Sequence, residues 1–171
     1  IGISNNFRYK NFNMSVLVEG KYGGQMFSGT NAMAKYFGAH KATIDADGRE
    51  NGFTVSGVDA SGAAFTTSIA PARIEDYWRR TYEIAEESVY DADYLRLRQM
   101  SIGYNIPRDL LENTFIKNAS ISLIGRNLFF LSNSVENVDP ESGYNVSNSQ
   151  GLEWFGMPIP RTIGMNVNLK F

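Results

Sequence analysis

The sequence predicts an all-β fold: five antiparallel strands that form the last part of a large transmembrane β-barrel with long extracellular loops. Apolar and polar residues alternate along five segments of the 171-residue chain. The connections between these segments are alternately short and long, and aromatic residues gather at their ends. The strands are expected at about 1–8, 11–27, 94–106, 118–131 and 161–171.

Composition excludes several classes of function. The chain has no cysteine, which removes disulfides, cysteine-ligated zinc and thiol nucleophiles. It carries 16 basic and 18 acidic residues, and this balance argues against a nucleic-acid partner. No run approaches 18 apolar residues, so a transmembrane helix is excluded. A membrane-crossing strand needs only about ten alternating residues and stays possible.

The first two segments predict a strand pair. Both alternate from their first residues, with Leu17 as the one apolar residue on the polar side, and a tight turn at 9–11 joins them.

In the fourth segment the alternation changes phase after Leu123. One extra residue reverses every side chain beyond it, so we expect a bulge near Gly125.

The closing segment, 161–171, has the clearest pattern, because its apolar and polar residues alternate without a break over ten positions. A strand with two different faces separates two environments, which in a membrane barrel are hydrocarbon and a water-filled interior. Seven side chains of the third and fifth strands are predicted to face lipid: Ile163, Met165, Val167, Leu169, Met100, Ile102 and Tyr104.

The connections favour a barrel over a soluble sandwich. Alternate connections of a meander lie at opposite ends of the sheet, so the short turns share one end and the long segments 28–93 and 132–160 share the other. A strand of about 13 residues, tilted by about 40°, rises on the order of 33 Å, which covers an apolar band of about 25 Å. Aromatic residues mark both ends of the strands: Tyr9, Phe12, Tyr104 and Phe171 at one end, Phe129 and Phe130 at the other.

The long segment 28–93 contains two predicted elements. Two β-prone runs flank a glycine-rich turn and predict a small hairpin at 53–62, and apolar spacing predicts an amphipathic helix at 73–85. His40, the single histidine, is expected to be a surface residue. The acidic run 45–50 hints at a calcium loop, but Arg49 lies where a ligand would be needed, so a solvated turn is favoured.

Arg96 and Arg98 would point toward lipid beside Met100 if their strand were straight. An arginine costs about 2–4 kcal/mol at mid-depth and about 0–1 kcal/mol near the interface. Two interpretations stay open, contact with anionic lipid at the rim or a register bulge, and both are favoured over a substrate site.

Five strands cannot close a barrel, and an open edge in lipid leaves unpaired backbone groups at several kcal/mol each. We therefore expect this chain to pair with earlier strands of the same barrel. Its first residues include neither an initiator methionine nor a signal peptide, in agreement with a start inside a larger protein.

Several motifs, in this order along the chain, resemble those of SusC/RagA-type TonB-linked outer-membrane transporters of Bacteroidota. The motif that begins YDADYLRLRQ resembles the third-from-last strand of that family, and three further motifs follow it. The four motifs occupy 90–107, 124–129, 138–141 and 160–171, and the stretches 55–58 and 76–78 resemble the family's last large extracellular loop.

The resemblance implies an outer-membrane barrel of about 22 strands with an N-terminal plug and a TonB-contacting segment, both absent from this chain. It implies a SusD-like lipoprotein as a lid, import of glycans or peptides driven through TonB, and contact with outer-membrane lipid. It also implies that the barrel-assembly machinery recognises the terminal Phe171.

The motifs also have physical interpretations. Pro107 ends its strand, Arg126 points into the polar lumen, and 139–141 forms a turn in a solvated loop. No nucleophile context occurs, so no enzyme activity, catalytic residue, cofactor or metal is predicted. The candidate contacts to substrate or lid are Tyr144, Trp154, Phe155 and Arg126.

Two alternatives differ from this prediction. A passive porin-type barrel shares the wall but lacks a plug and a TonB-contacting segment. A soluble all-β module for glycan binding or adhesion would instead bury the apolar strand faces against a second layer.

Overall fold

The computed structural model describes residues 1–44, 48–143, 147 and 150–171. The chain divides into two compact units. The first comprises Ile1–Gly24, Asp91–Ser142 and Met157–Phe171, and the second comprises Gln25–Tyr90 and Gly143–Gly156. Among the described residues, no helix has the length and apolar character needed to cross a membrane.

Strands dominate the secondary structure, so the all-β prediction is confirmed. The described strands are β1 (Gly2–Tyr9), β2 (Phe12–Lys21), β3 (Gln25–Ser28), β4 (Phe53–Val58), β5 (Ala64–Ile69), β6 (Val89–Asp91), β7 (Tyr94–Asn105), β8 (Asn118–Asn133), β9 (Leu152–Glu153) and β10 (Thr162–Lys170). The helices are α1 (Gly29–Tyr36), α2 (Gly48–Asn51) and α3 (Ile74–Thr81). Short 3₁₀ turns lie at Lys41–Thr43, Pro71–Arg73, Ala85–Ser88 and Arg108–Leu110.

The first unit is a five-stranded antiparallel sheet in the order β1-β2-β7-β8-β10. Each strand therefore pairs with the one that precedes it in this sheet, as in an up-and-down meander. The second strand is shorter than the predicted 11–27, because β2 ends at Lys21. Gly23 and Gly24 then have positive φ angles of 82° and 90°, and this backbone conformation turns the chain out of the sheet. Residues 25–28 form β3, which belongs to the second unit.

The register of the sheet collects apolar side chains on one face, since residues directly opposite each other share a face. Four residues of β10 and three of β7 lie opposite the same series on β8. These pairs are Ile163–Gly125, Met165–Leu123, Val167–Ile121 and Leu169–Ala119, with Met100–Gly125, Ile102–Leu123 and Tyr104–Ile121. All seven side chains predicted to face lipid thus lie on one side of the sheet.

This apolar face has no protein layer over it in the described part of the chain. Met165 is 69% exposed and Val167 is 50% exposed. A soluble sandwich would bury such residues between two sheets. The opposite face carries Gln99, Ser122 and Asn166, so the two sides of the sheet suit different surroundings.

The predicted bulge in the fourth strand is confirmed near Gly125. Gln99 lies opposite Arg126, whereas Leu97 lies opposite Phe129, so β8 contains one extra residue between these pairs. Asn127, within the bulge, has a φ of 51°.

The second unit contains a three-stranded sheet in the order β6-β3-β9, the β4–β5 hairpin and the three helices. A hairpin begins at Phe53 as predicted, but its predicted bounds were wrong, because the second strand, β5, lies wholly beyond residue 62. The predicted helix is confirmed as α3, which ends at Thr81 rather than at residue 85.

The prediction of a surface histidine was wrong. His40 is 3% exposed, and its Nδ1 accepts a hydrogen bond from the Ala42 N–H at 3.1 Å. The side chain thereby caps the 3₁₀ turn at Lys41–Thr43. Residues 45–47 of the acidic run lie outside the described residues, so the solvated-turn interpretation stays a prediction.

A substitution on each face of β10 tests the assignment of the faces. Val167→Arg in the intact protein should lower the amount of folded protein in the outer membrane, because arginine in the apolar band costs about 2–4 kcal/mol near mid-depth. Asn168→Arg, on the polar face, should assemble normally. Heat-modifiable migration of the folded barrel on semi-native gels measures both, and equal losses would contradict the assignment.

Candidate functional site

A group of charged side chains lies on the polar face of the first unit, and we call it the charged cluster: Glu19, Arg96, Arg98, Asp139 and Glu141. Arg96 donates to Asp139 Oδ2 at 2.6 Å and to Glu141 Oε2 at 2.5 Å. Arg98 donates to Glu19 Oε2 and to Glu141 Oε1, both at 2.6 Å. Two arginines and three carboxylates give the cluster a formal charge of −1.

A bulge in β7 directs both arginines to this face. Leu17 lies opposite Gln99 while Val18 lies opposite Leu97, so Arg98 is an extra residue in β7. Beyond it, Arg96 lies opposite Glu19 on the polar side. Of the two interpretations left open by the sequence, the register bulge is confirmed and contact of these arginines with rim lipid is wrong.

Two aromatic rings pack against the Arg96 side of the cluster. The Arg96 guanidinium lies 3.9 Å from the centroid of the Phe130 ring, a cation–π geometry. Tyr94 packs edge-on against the same ring and donates its hydroxyl to Glu141 Oε1 at 3.0 Å. The Arg96 and Asp139 side chains are each 4% exposed. Charges this deeply buried are stabilised only when every partner is present.

The segment that follows β8, residues 134–142, is tied to the sheet through Asp139 and Glu141, and we call it the strap. Asp139 also accepts the backbone N–H of Glu141 at 3.0 Å and of Ile159 at 3.2 Å. The predicted turn is therefore present, but the prediction of a solvated loop was wrong for Asp139. Its carboxylate is buried because Arg96, 43 residues away in sequence, compensates the charge.

Arg126 lies on the polar face, opposite Gln99 on one side and Thr162 on the other. Its side chain is exposed, and it forms no ion pair with the described residues. It is therefore available to a ligand or a partner protein, although nothing in its surroundings selects between them.

The aromatic candidates of the last long connection belong to the second unit. The Trp154 ring covers Gly29, where an added Cβ would lie 1.9 Å from the indole, so Trp154 packs within its own unit. Phe155 is 61% exposed, with a φ of 51° that a residue other than glycine rarely adopts. Its N–H donates to Thr30 Oγ1 at 2.8 Å. Tyr144 lies outside the described residues.

A buried carboxylate, which the sequence analysis missed, holds these aromatic residues in place. Glu153 has no exposed surface and accepts hydrogen bonds from Ser28 Oγ at 2.7 Å, Thr30 Oγ1 at 2.6 Å and the Gly156 N–H at 3.1 Å. Ser28 is also the N-cap of α1. The pair of hydroxyl residues at the start of this helix is the sequence signal for such an anchor.

The terminal Phe171 is 61% exposed, and its ring stacks on that of Phe115 with centroids 5.5 Å apart. Within the described residues, no group of acidic or histidine side chains is arranged to hold a metal ion. Each unit thus has its own group of candidate residues, the charged cluster under the strap in the first unit and the partly exposed Trp154 and Phe155 rings in the second.

Two curated proteins of Formosa agariphila match nearly the whole chain. TonB-dependent receptor P3 is 29% identical over 177 residues, covering 100% of this chain and 16% of that receptor. TonB-dependent receptor P26 is 27% identical over 178 residues, covering 99% of this chain and 16% of that receptor. The chain is similar to TonB-dependent receptors over nearly its whole length. It spans 16% of the length of these two relatives, and no family model matches it.

Two solved structures have the same fold over nearly the whole chain. The RagAB peptide transporter superposes with a TM-score of 0.66 at 16% identity, over 99% of this chain and 17% of that one. The RagAB peptide importer in its closed-closed state gives 0.62 at 16% identity, over 98% and 17%. The resemblance to SusC/RagA-type receptors is confirmed, and the location is the bacterial outer membrane.

Removing one partner of the charged cluster tests how the strap is held. Arg96→Met in the intact protein leaves the Asp139 charge buried without a counter-ion, which costs about 3–5 kcal/mol. We expect rapid proteolytic cleavage within the strap and a lower unfolding temperature in detergent. Arg126→Met is the matched control, since an exposed arginine changes stability by about 0.5 kcal/mol or less. Equal protease resistance of the two variants would contradict this role.

Proposed function

We propose that this chain forms part of the barrel wall and extracellular vestibule of a TonB-dependent nutrient importer. The observation that carries the proposal is the separation of the two sheet faces. One face is apolar along five strands and exposed on the outer strand β10, and the other bears amides, hydroxyls and the charged cluster. Such a sheet suits hydrocarbon on one side and a water-filled passage on the other.

The edges of the sheet support membership of a larger barrel. β1 and β10 are the outer strands, and each has a partner on one side only among the described residues. In hydrocarbon an unpaired edge costs several kcal/mol per backbone group, so further strands must continue the sheet on both sides. We propose that they belong to the same receptor and complete a barrel of about 22 strands, with a plug inside it.

The long connections supply the proposed vestibule. A SusD-like lipoprotein would cover the extracellular side, and the partly exposed Trp154 and Phe155 are candidates for contact with it or with substrate. Arg126, on the polar face, and Tyr144 are the other two candidates for contact with the lipoprotein or with substrate. The substrates would be glycans or peptides. Neither catalysis nor a cofactor is part of this proposal.

The remaining partners follow from the same role. TonB would engage a segment earlier in the receptor, and the barrel-assembly machinery would recognise the exposed Phe171. Outer-membrane lipid would contact the apolar face. The strap, held by the charged cluster, would narrow the passage at this part of the wall.

A requirement for TonB and for the proton-motive force distinguishes a TonB-dependent importer from a passive porin. In cells that produce the intact receptor, accumulation of labelled oligosaccharides or oligopeptides in the periplasm should require TonB and should stop when a protonophore collapses the proton-motive force. Entry of a small solute through a general porin is the control, because diffusion continues under both conditions. Receptor-dependent uptake that persists without TonB would contradict the proposal and favour the porin.

A further inference from the structure

The two short turns of the five-stranded sheet lie at the same end of it and carry an excess of positive charge. They connect β1 to β2 and β7 to β8. Together with the adjoining strand ends they comprise 8–12, 104–118 and 170–171, and we call this region the short-turn rim. It contains two acidic residues, Asp109 and Glu112, and five basic ones: Arg8, Lys10, Arg108, Lys117 and Lys170. The side chains of the rim therefore carry a formal charge of +3, whereas the whole chain carries −2.

The basic side chains of the short-turn rim are not neutralised by neighbouring carboxylates. All five are exposed, and none forms an ion pair with the part of the chain that the structure describes. At the opposite end of β7, by contrast, Arg96 and Arg98 each bind two carboxylates. Exposed cations without a counter-ion favour a negatively charged partner, because no internal ion pair has to be broken first.

Exposed aromatic rings accompany these cations at both turns. Tyr9 is 71% exposed and Phe115 is 79% exposed. The Lys10 ammonium lies 5.6 Å from the centroid of the Tyr9 ring, and the Phe115 ring stacks on that of Phe171. The Lys117 N–H donates at 2.7 Å to the carbonyl of the residue that precedes Phe171. Each short turn thus combines a lysine with exposed aromatic surface.

The register places these aromatic residues on the apolar face of the sheet. Tyr9 lies opposite Phe12, and Phe12 lies opposite Tyr104, which is one of the side chains predicted to face lipid. Phe171 follows Leu169 by two positions and continues the alternation of β10 on the same face. Aromatic rings beside an apolar band, with basic side chains next to them, are typical of the boundary between hydrocarbon and lipid headgroups.

We propose that the short-turn rim binds anionic glycerophospholipids, with their phosphates on Lys10 and Lys117 and their glycerol and upper acyl chains on the adjacent aromatic rings. The assignment rests on the proposed function, since it requires the sheet to lie in the outer membrane with its short turns toward the periplasm. Glycerophospholipids form the periplasmic leaflet of that membrane. Lipid A also carries phosphates, but it lies in the opposite leaflet, beside the long connections.

Lipid binding to the intact protein in detergent tests the assignment. Native mass spectrometry compares phosphatidylglycerol with phosphatidylcholine of the same acyl chains, so that the net charge of the headgroup differs. Phosphatidylglycerol should bind more tightly, by about fivefold for each lysine that contacts it. The double variant Lys10→Gln/Lys117→Gln should lose this preference, and Lys10→Arg/Lys117→Arg should keep it.

Lys21→Gln is the matched control. Lys21 is also exposed and forms no ion pair with the described residues, but it lies at the other end of β2. This variant should keep the full preference for phosphatidylglycerol. Heat-modifiable migration on semi-native gels checks that each variant keeps its fold.

Three results would overturn the assignment. They are equal binding of the two phospholipids, a loss of preference in Lys10→Gln/Lys117→Gln no larger than that in Lys21→Gln, or lysine-dependent binding of lipid A that is tighter than that of phosphatidylglycerol. Uptake would still require TonB in each case if the proposed function holds. Uptake without TonB, with the lysine-dependent preference for phosphatidylglycerol intact, would instead contradict the proposed function alone.

Discussion

The strict alternation of apolar and polar side chains on a continuous antiparallel sheet is the constraint on which the first unit depends. Side chains of a strand point to opposite faces in turn, so five strands in register produce one apolar and one polar surface. Val167 and Asn168 are neighbours in the chain, yet they belong to different environments. The described residues place no second layer on the apolar face, and this exposure supports the proposal that the face contacts lipid.

The bulges keep charged side chains off the apolar face, so they maintain the separation of the two faces. Without the extra residue at Arg98, Arg96 would point to the apolar face together with Met100. The bulge turns both arginines to the polar face, where Asp139 and Glu141 neutralise them. Because of this change of register, the two arginines avoid the apolar face and bind the carboxylates of the strap instead. The same sheet can therefore keep its apolar face free of charge and fix the strap on its polar face.

Local patterns predicted the strands, and long-range contacts decided most of the rest. The alternation of 161–171 specified its strand because a period of two is a property of neighbouring residues. The burial of Asp139 depends on an arginine that is distant in sequence, and no local pattern contains that information. His40 was misassigned for a similar reason, since a polar residue in a long connection gives no sign of the turn that it caps.

The most direct test of the proposed membrane sheet is to measure which positions of β10 contact lipid. Spin labels placed one at a time at 162–170 in the intact protein, reconstituted in bilayers, can be probed with oxygen and with a water-soluble nickel chelate. Oxygen should reach positions 163, 165, 167 and 169, and the chelate should reach the positions between them. Uniform accessibility along the strand, or the opposite alternation, would contradict an apolar face that meets hydrocarbon.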